Sequence, residues 1–300
     1  MMKPDVPSSW LPLAGAVALW MPAMVAASHV WNHGEYYDYG WFVPPAAIWL
    51  MTLRWKSLDG AVRFPSRRVM LGLAALLLPW FLLLRVLGDT DPSWRLPMLL
   101  SGMTAVVAGH WLLAVTRGWQ ASRGFVWITL FWISALPWPS VVETEIVRHL
   151  TRWVVAAVAE AFQILGKPVV VSGDRLSLHD ITVEVTDGCS GVRSFQSFVM
   201  ATWFFAELQR LRISGALSLL AMACGVAFLV NAARTYALAW IRFSQGDAAF
   251  HRAHDWLGLL AFAASATAFY YLSGHLSGPS RRTLVRTLQG RQAGTHPSHR

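Results

Sequence analysis

The chain has 300 residues, 55% of them apolar, and only 41 are charged, 25 basic and 16 acidic. A soluble chain of this size carries about 25% charged residues, so a charged fraction of 14% argues against one. The formal charge of +9 is divided among short loops between apolar runs and forms no basic stripe, which sets nucleic acid aside and leaves the lipid bilayer as the expected partner.

Apolar runs occur at Leu11 to Ala27, Trp41 to Leu53, Val69 to Leu87, Leu96 to Thr116, Gly124 to Trp138, Val192 to Leu208, Ile213 to Ile241 and Trp256 to Leu272. A span needs about 20 apolar residues, so the fold class is an all-α polytopic membrane protein of about eight transmembrane helices. The second and fifth runs are short for this. The first has signal-peptide features in Lys3 and Ala26-Ala27-Ser28, but with Pro12 and Pro22 inside it and further spans behind, it reads as an uncleaved helix. With alternating spans and a cytoplasmic N-terminus, the inside segments sum to +12 and the outside segments to −3, the sign expected of cytoplasmic loops. Both ends are then cytoplasmic. Residues 1–276 read as one integral membrane domain, with an external segment at 139–190. The basic tail at 277–300, rich in Arg, Gly, Ser and His, reads as disordered.

Within the external segment, Glu143 to Leu165 places Ile146, Leu150, Trp153, Ala157 and Val158 on one helical face, with Glu145, Arg148 and Arg152 elsewhere, as in an amphipathic helix on the outer surface. Val169 to Val171, a Ser172-Gly173-Asp174 turn, Leu176 to Leu178 and Ile181 to Val185 read as a small β-hairpin or three short strands.

Thr186-Asp187-Gly188-Cys189-Ser190-Gly191-Val192-Arg193 follows, and a membrane helix begins there. Cys189 sits at or just before a helix N-terminus and close to Arg193; the helix dipole and the cation both favour thiolate. The same N–H groups could receive an oxyanion. The alternative is a small buried cysteine, which is the reading for Cys224 near the middle of the seventh run. Two cysteines are too few for a disulfide framework, and no zinc-ligand spacing appears, so no metal or cofactor is expected. Arg234 lies 21 residues beyond Ile213, roughly 32 Å along a helix, which returns it to the level of Cys189. A snorkelling interfacial cation is its plainer reading. Asn231, one turn earlier, could support it. An outer loop through His251 to Asp255 brings His254 to the same level, with Asp255 beside it. One Cys, one Arg and one His on three helix ends are the parts of an acyl-transfer site.

Asp187-Gly188-Cys189-Ser190-Gly191-Val192-Arg193-Ser194, then Asn231-x-x-Arg234, then His254-Asp255-x-x-Gly258, resembles the exosortase/archaeosortase family of membrane cysteine transpeptidases. Tyr37-Asp38-Tyr39-Gly40-Trp41-Phe42-Val43-Pro44 is similar to that family's N-terminal signature, with Tyr39 where a His is usual. Ala135-Leu136-Pro137-Trp138-Pro139 is similar to the segment before its cysteine. The resemblance implies catalytic Cys189, Arg234 and His254, with Ser190, Gly191, Arg193, Asn231 and Asp255 as supporting or oxyanion residues. It implies exported protein substrates whose C-terminal tail carries a motif such as Pro-Glu-Pro, a membrane helix and a basic end. The tail would be cut through a Cys thioester and passed to an unknown acceptor nucleophile, at the external face of the bacterial cytoplasmic (inner) membrane. Two alternatives stay open: an intramembrane-type cysteine protease that releases its substrate by hydrolysis, and a non-enzymatic polysaccharide-export or transport protein. Few charged residues lie deep in the runs, which speaks against the transporter.

Overall fold

The computed structural model describes residues 10–33, 36–185 and 190–276. Its helices are α1 Leu11–His33, α2 Val43–Lys56, α3 Arg67–Thr90, α4 Arg95–Arg117, α5 Trp119–Arg123, α6 Val126–Ile133, α7 Ser140–Ile164, α8 Val192–Leu208, α9 Ile213–Gln245 and α10 Asp247–Leu276. A 3-10 turn at Asp38–Phe42 precedes α2, and strands β1 Val170–Ser172, β2 Arg175–Leu178 and β3 Ile181–Glu184 lie between α7 and α8.

Each apolar run contains a helix, but five helices among the described residues, α1, α3, α4, α9 and α10, are long and apolar enough to cross a membrane. At 14, 8 and 17 residues, α2, α6 and α8 fall short of the expected eight spans. Proline explains α6. Pro137 and Pro139 cannot donate to a helix and push the residues before them out of helical geometry, so the fifth run ends as the irregular stretch Ala135 to Pro139.

Three apolar clusters organise the bundle. The largest joins α1, α2, α4 and α6 through Trp20, Met24, Leu50, Met51, Ala105, Phe131 and Trp132, with Trp20 stacked on Trp132 at 5.2 Å between centroids. A second places Val154, Val158 and Phe162 of α7 on Leu176 and Val183 of the sheet and on Ala239 of α9. The third packs Phe198 of α8 on Leu219 and Ala223 of α9 and on Phe269 of α10. Arg54 at the end of α2 binds buried Glu207 at the end of α8 in a two-pronged ion pair, Nε to Oε1 at 2.8 Å and Nη2 to Oε2 at 2.6 Å. α3 is the outlier: Leu84 is its one buried residue, and Leu71, Leu76, Leu78, Leu82 and Val86 are exposed, a surface suited to hydrocarbon.

The strands form one antiparallel sheet in the order β1-β2-β3, with Leu176 opposite both Val171 and Val183, so the segment is three strands and not a two-stranded hairpin. α7 is a helix as expected, but its buried face is Glu143, Val147, Thr151, Val154, Val155, Val158 and Phe162, while Trp153 is 59% exposed. The stripe is rotated because Phe162 seats against Tyr236, Trp240 and Phe243 of α9, a stronger anchor than the smaller residues of the expected face.

Candidate active site

The start of α8 is fixed by a glycine. Gly191 is the residue before the helix and adopts φ +83°, a conformation that side chains resist. A Cβ there would lie 3.0 Å from the Asn231 side chain of α9. Ser190 is buried, and its Oγ accepts from the Val192 N–H at 3.3 Å. Arg193 is exposed on the first turn of α8. Cys189 lies outside the described residues, one peptide bond before Ser190. The sequence motif is thereby attached to α9 at Asn231.

Arg234 stands one turn further along α9. Its Nη2 donates to His254 Nε2 at 3.1 Å, which gives the cation a specific side-chain partner. With Nε2 accepting, the ring hydrogen is on Nδ1, and that nitrogen donates to Asp255 Oδ1 at 3.3 Å. Asp255 is 95% exposed, so the carboxylate is held in the open. Arg234 Nε is buried and has no partner among the described residues. Gly258, one turn beyond His254, lies under the guanidinium: a Cβ there would be 3.8 Å from Nη2.

The expected outer loop at His251 to Asp255 is helix. α9 ends at Gln245, Gly246 turns the chain at φ +80°, and α10 starts at Asp247, whose carboxylate pairs with Arg242. An acid at a helix start and a Gly in the left-handed region are a compact helix-to-helix connection, so His254 projects from a rigid second turn. Cys224, the other cysteine, is a free, half-buried thiol within α9.

A second polar cluster was not singled out by the sequence. The Tyr37 hydroxyl donates to Glu143 Oε2 and accepts from the Trp138 N–H at 2.9 Å. Arg95 holds the same carboxylate, Nη2 to Oε1 at 2.8 Å, and reaches the Trp138 carbonyl at 2.7 Å. Burial, and then the neighbouring Glu143, push the Tyr37 hydroxyl well above the ordinary tyrosine range, so it remains a donor. Tyr39 is pushed up by the same two causes and donates to the Ser134 carbonyl at 3.0 Å. Gly40 admits the Trp31 ring, which would sit 2.3 Å from a Cβ, and Trp31 Nε1 donates to the Ala135 carbonyl at 2.8 Å. The two flanking motifs of the sequence, Tyr37 to Pro44 and Ala135 to Pro139, are thus one locked substructure that positions the start of α7. The available signal was a pair of single charges, Arg95 and Glu143, at the ends of apolar runs.

Five helices among the described residues long and apolar enough to cross a bilayer, with an Arg–His contact between the body of α9 and the second turn of α10 and not at three helix ends, define a polytopic membrane protein. The transmembrane exosortase family matches the chain over residues 31–271, and the chain belongs to that family. No curated protein and no solved structure matches it significantly.

Proposed function

We propose that the chain is a protein-sorting cysteine transpeptidase, which cleaves a Pro-Glu-Pro-like C-terminal tail on exported proteins and transfers the new C-terminus to an extracytoplasmic acceptor. The observation that carries this reading is the Arg234–His254 pair, one helical turn from the Asn231 that seats Ser190-Gly191, next to Cys189. A nucleophile, an oxyanion donor and a base would then meet on α8, α9 and α10.

In the cycle, His254 Nε2 takes the Cys189 proton. Once protonated, Nε2 can no longer accept from Arg234, so the guanidinium is released toward the developing oxyanion, together with N–H groups at the start of α8. The thiolate bonds to the scissile carbonyl carbon, and the C–N bond breaks as His254 delivers its proton to the leaving amine. The thioester then meets an acceptor nucleophile that His254 deprotonates, and Cys189 regains its thiolate as the new bond forms. Asp255 orients the ring through Nδ1. The site lies at the external face of the cytoplasmic membrane, both chain ends are cytoplasmic, and all eight apolar runs cross. The short helices α2, α6 and α8 complete their crossings inside the bundle, where protein replaces lipid around irregular backbone. The charge split of the loops supports this orientation.

The test is a reporter secreted with a Pro-Glu-Pro segment, an apolar helix and an Arg-rich end, followed by gel and intact mass in membranes holding equal amounts of each variant. Processing that needs Cys189, Arg234 and His254, and a product heavier than hydrolysis gives, is the expected result. A product of the hydrolysed mass assigns a protease instead, and unprocessed reporter with the parent chain rejects the reading.

A further inference from the structure

The inward face of α7 is buried along its whole length, but it packs on the sheet and α9 over its second half only. From Val154 to Phe162 it packs on the sheet and α9, whereas over its first three turns the buried residues Glu143, Val147 and Thr151 are flanked by an open cavity of about 420 Å³, within the range of about 300–1,000 Å³ usual for ligand sites. The cavity is walled by Thr144, Arg148, Thr151 and Arg152 of α7, by Tyr36, and by the β1–β2 turn at Gly173 and Asp174. Arg148 pairs with Glu145, and Glu143 is taken up by Arg95 and Tyr37. Arg152 has no ionic partner among the described residues. Thr151 is 6% exposed, and its Oγ1 is buried without a hydrogen bond, although a helical Thr ordinarily satisfies itself on a carbonyl one turn back. An exposed cation without an ionic partner on the cavity rim, and behind the cavity wall a buried hydroxyl without a hydrogen bond that a turn of its side chain would present, suit an anionic, hydrogen-bonding ligand.

Two facts favour a peptide over a lipid headgroup. At 100° per residue, the exposed Trp153 lies on the side of α7 opposite Thr144, so the large aromatic suited to a membrane interface faces away from the cavity. Asp174 on the facing rim also suits a ligand that offers N–H donors beside its anion, as an extended chain does. The cavity adjoins the catalytic segment: the Val185 N–H donates to the Asp174 carbonyl at 2.9 Å, and the four residues from Val185 to Cys189 span at most about 14 Å.

We infer that this cavity is a specificity subsite, in which the extended segment of the substrate beside its cleavage point is held by an acidic side chain on Arg152 and by the Thr151 hydroxyl. The inference rests on the sorting reading and names the residues that select its substrate. It is tested with the Pro-Glu-Pro reporter and a form in which its Glu is Lys. Both are measured with the parent chain, with Arg152→Glu and with Thr151→Val, in nanodiscs with and without anionic lipid. The expected result is at least a tenfold loss for the Lys reporter on the parent chain, a similar loss for the Glu reporter on Arg152→Glu, and several-fold recovery when both changes are combined. Thr151→Val lowers processing of the Glu reporter and leaves the Lys reporter as it was. Binding is read apart from chemistry by disulfide capture of a reporter Cys at Thr144→Cys in a Cys189→Ala, Cys224→Ala background, so a failed cycle leaves the subsite test standing. Capture and processing that ignore the reporter's charge overturn the subsite. So does an Arg152→Glu effect that follows anionic lipid and not the reporter, which would make this face a headgroup site.

Discussion

At the scale of single residues, Arg234 is the point where structural and chemical roles part. A cation that only anchors a helix end needs charge and length, which Lys supplies; a guanidinium that shares itself between His254 Nε2 and an oxyanion uses a planar fork. Arg234→Lys should lower reporter processing by about 100- to 1,000-fold, the usual cost of one oxyanion donor, while the protein is inserted in normal amounts. His254→Gln keeps a side-chain amide at the ring position but cannot carry a proton, and should be comparably inactive. Gly191 was readable as a motif residue, but the reason for it was not: a left-handed φ and the close Asn231 side chain both appear only in three dimensions. Tyr37 adds a titration. Its pKa is raised above the unfolded value of about 10, so its contribution is fully present below pH 10 and is lost as pH rises beyond it. Tyr37→Phe removes one donor from Glu143, which keeps Arg95, and should therefore destabilise the detergent-solubilised protein at neutral pH by about 1 kcal/mol, read as a lower melting temperature, and weaken the alkaline decline above pH 10.

Between elements, the tie from α2 to α8 is ionic and buried. Glu207→Ala leaves Arg54 unpaired and should cost roughly 3 kcal/mol, whereas Arg54→Met together with Glu207→Leu should cost much less, because the charges are removed as a pair. Thermal unfolding of the two variants and the double variant checks this. Hydropathy showed where most helices lie, because each needs an apolar face whichever partner it meets. It could not show that His254 is helical, since that depends on a one-residue connection at Gly246. Nor could it show which face of α7 is buried, since Phe162 finds its aromatic partners on α9, more than 70 residues away in the chain.

Over the whole molecule, the orientation rests on loop charge. Reporter fusions after Arg123 should score cytoplasmic and a fusion at Gly173 external; a cytoplasmic Gly173 would put the cysteine in the wrong compartment. The Tyr37 to Pro44 turn fixes the start of α7, and α7 packs on the sheet and on α9, the helix that carries Asn231 and Arg234.

The most direct measurement is reporter processing by Cys189→Ala and Cys224→Ala in membranes with equal amounts of each. The two thiols differ in setting: one precedes a helix start attached to Asn231, the other is half-buried within α9. Cys189→Ala should abolish processing with the protein still inserted, and Cys224→Ala should process at close to the parent rate; processing by Cys189→Ala at the parent rate would contradict the thioester chemistry.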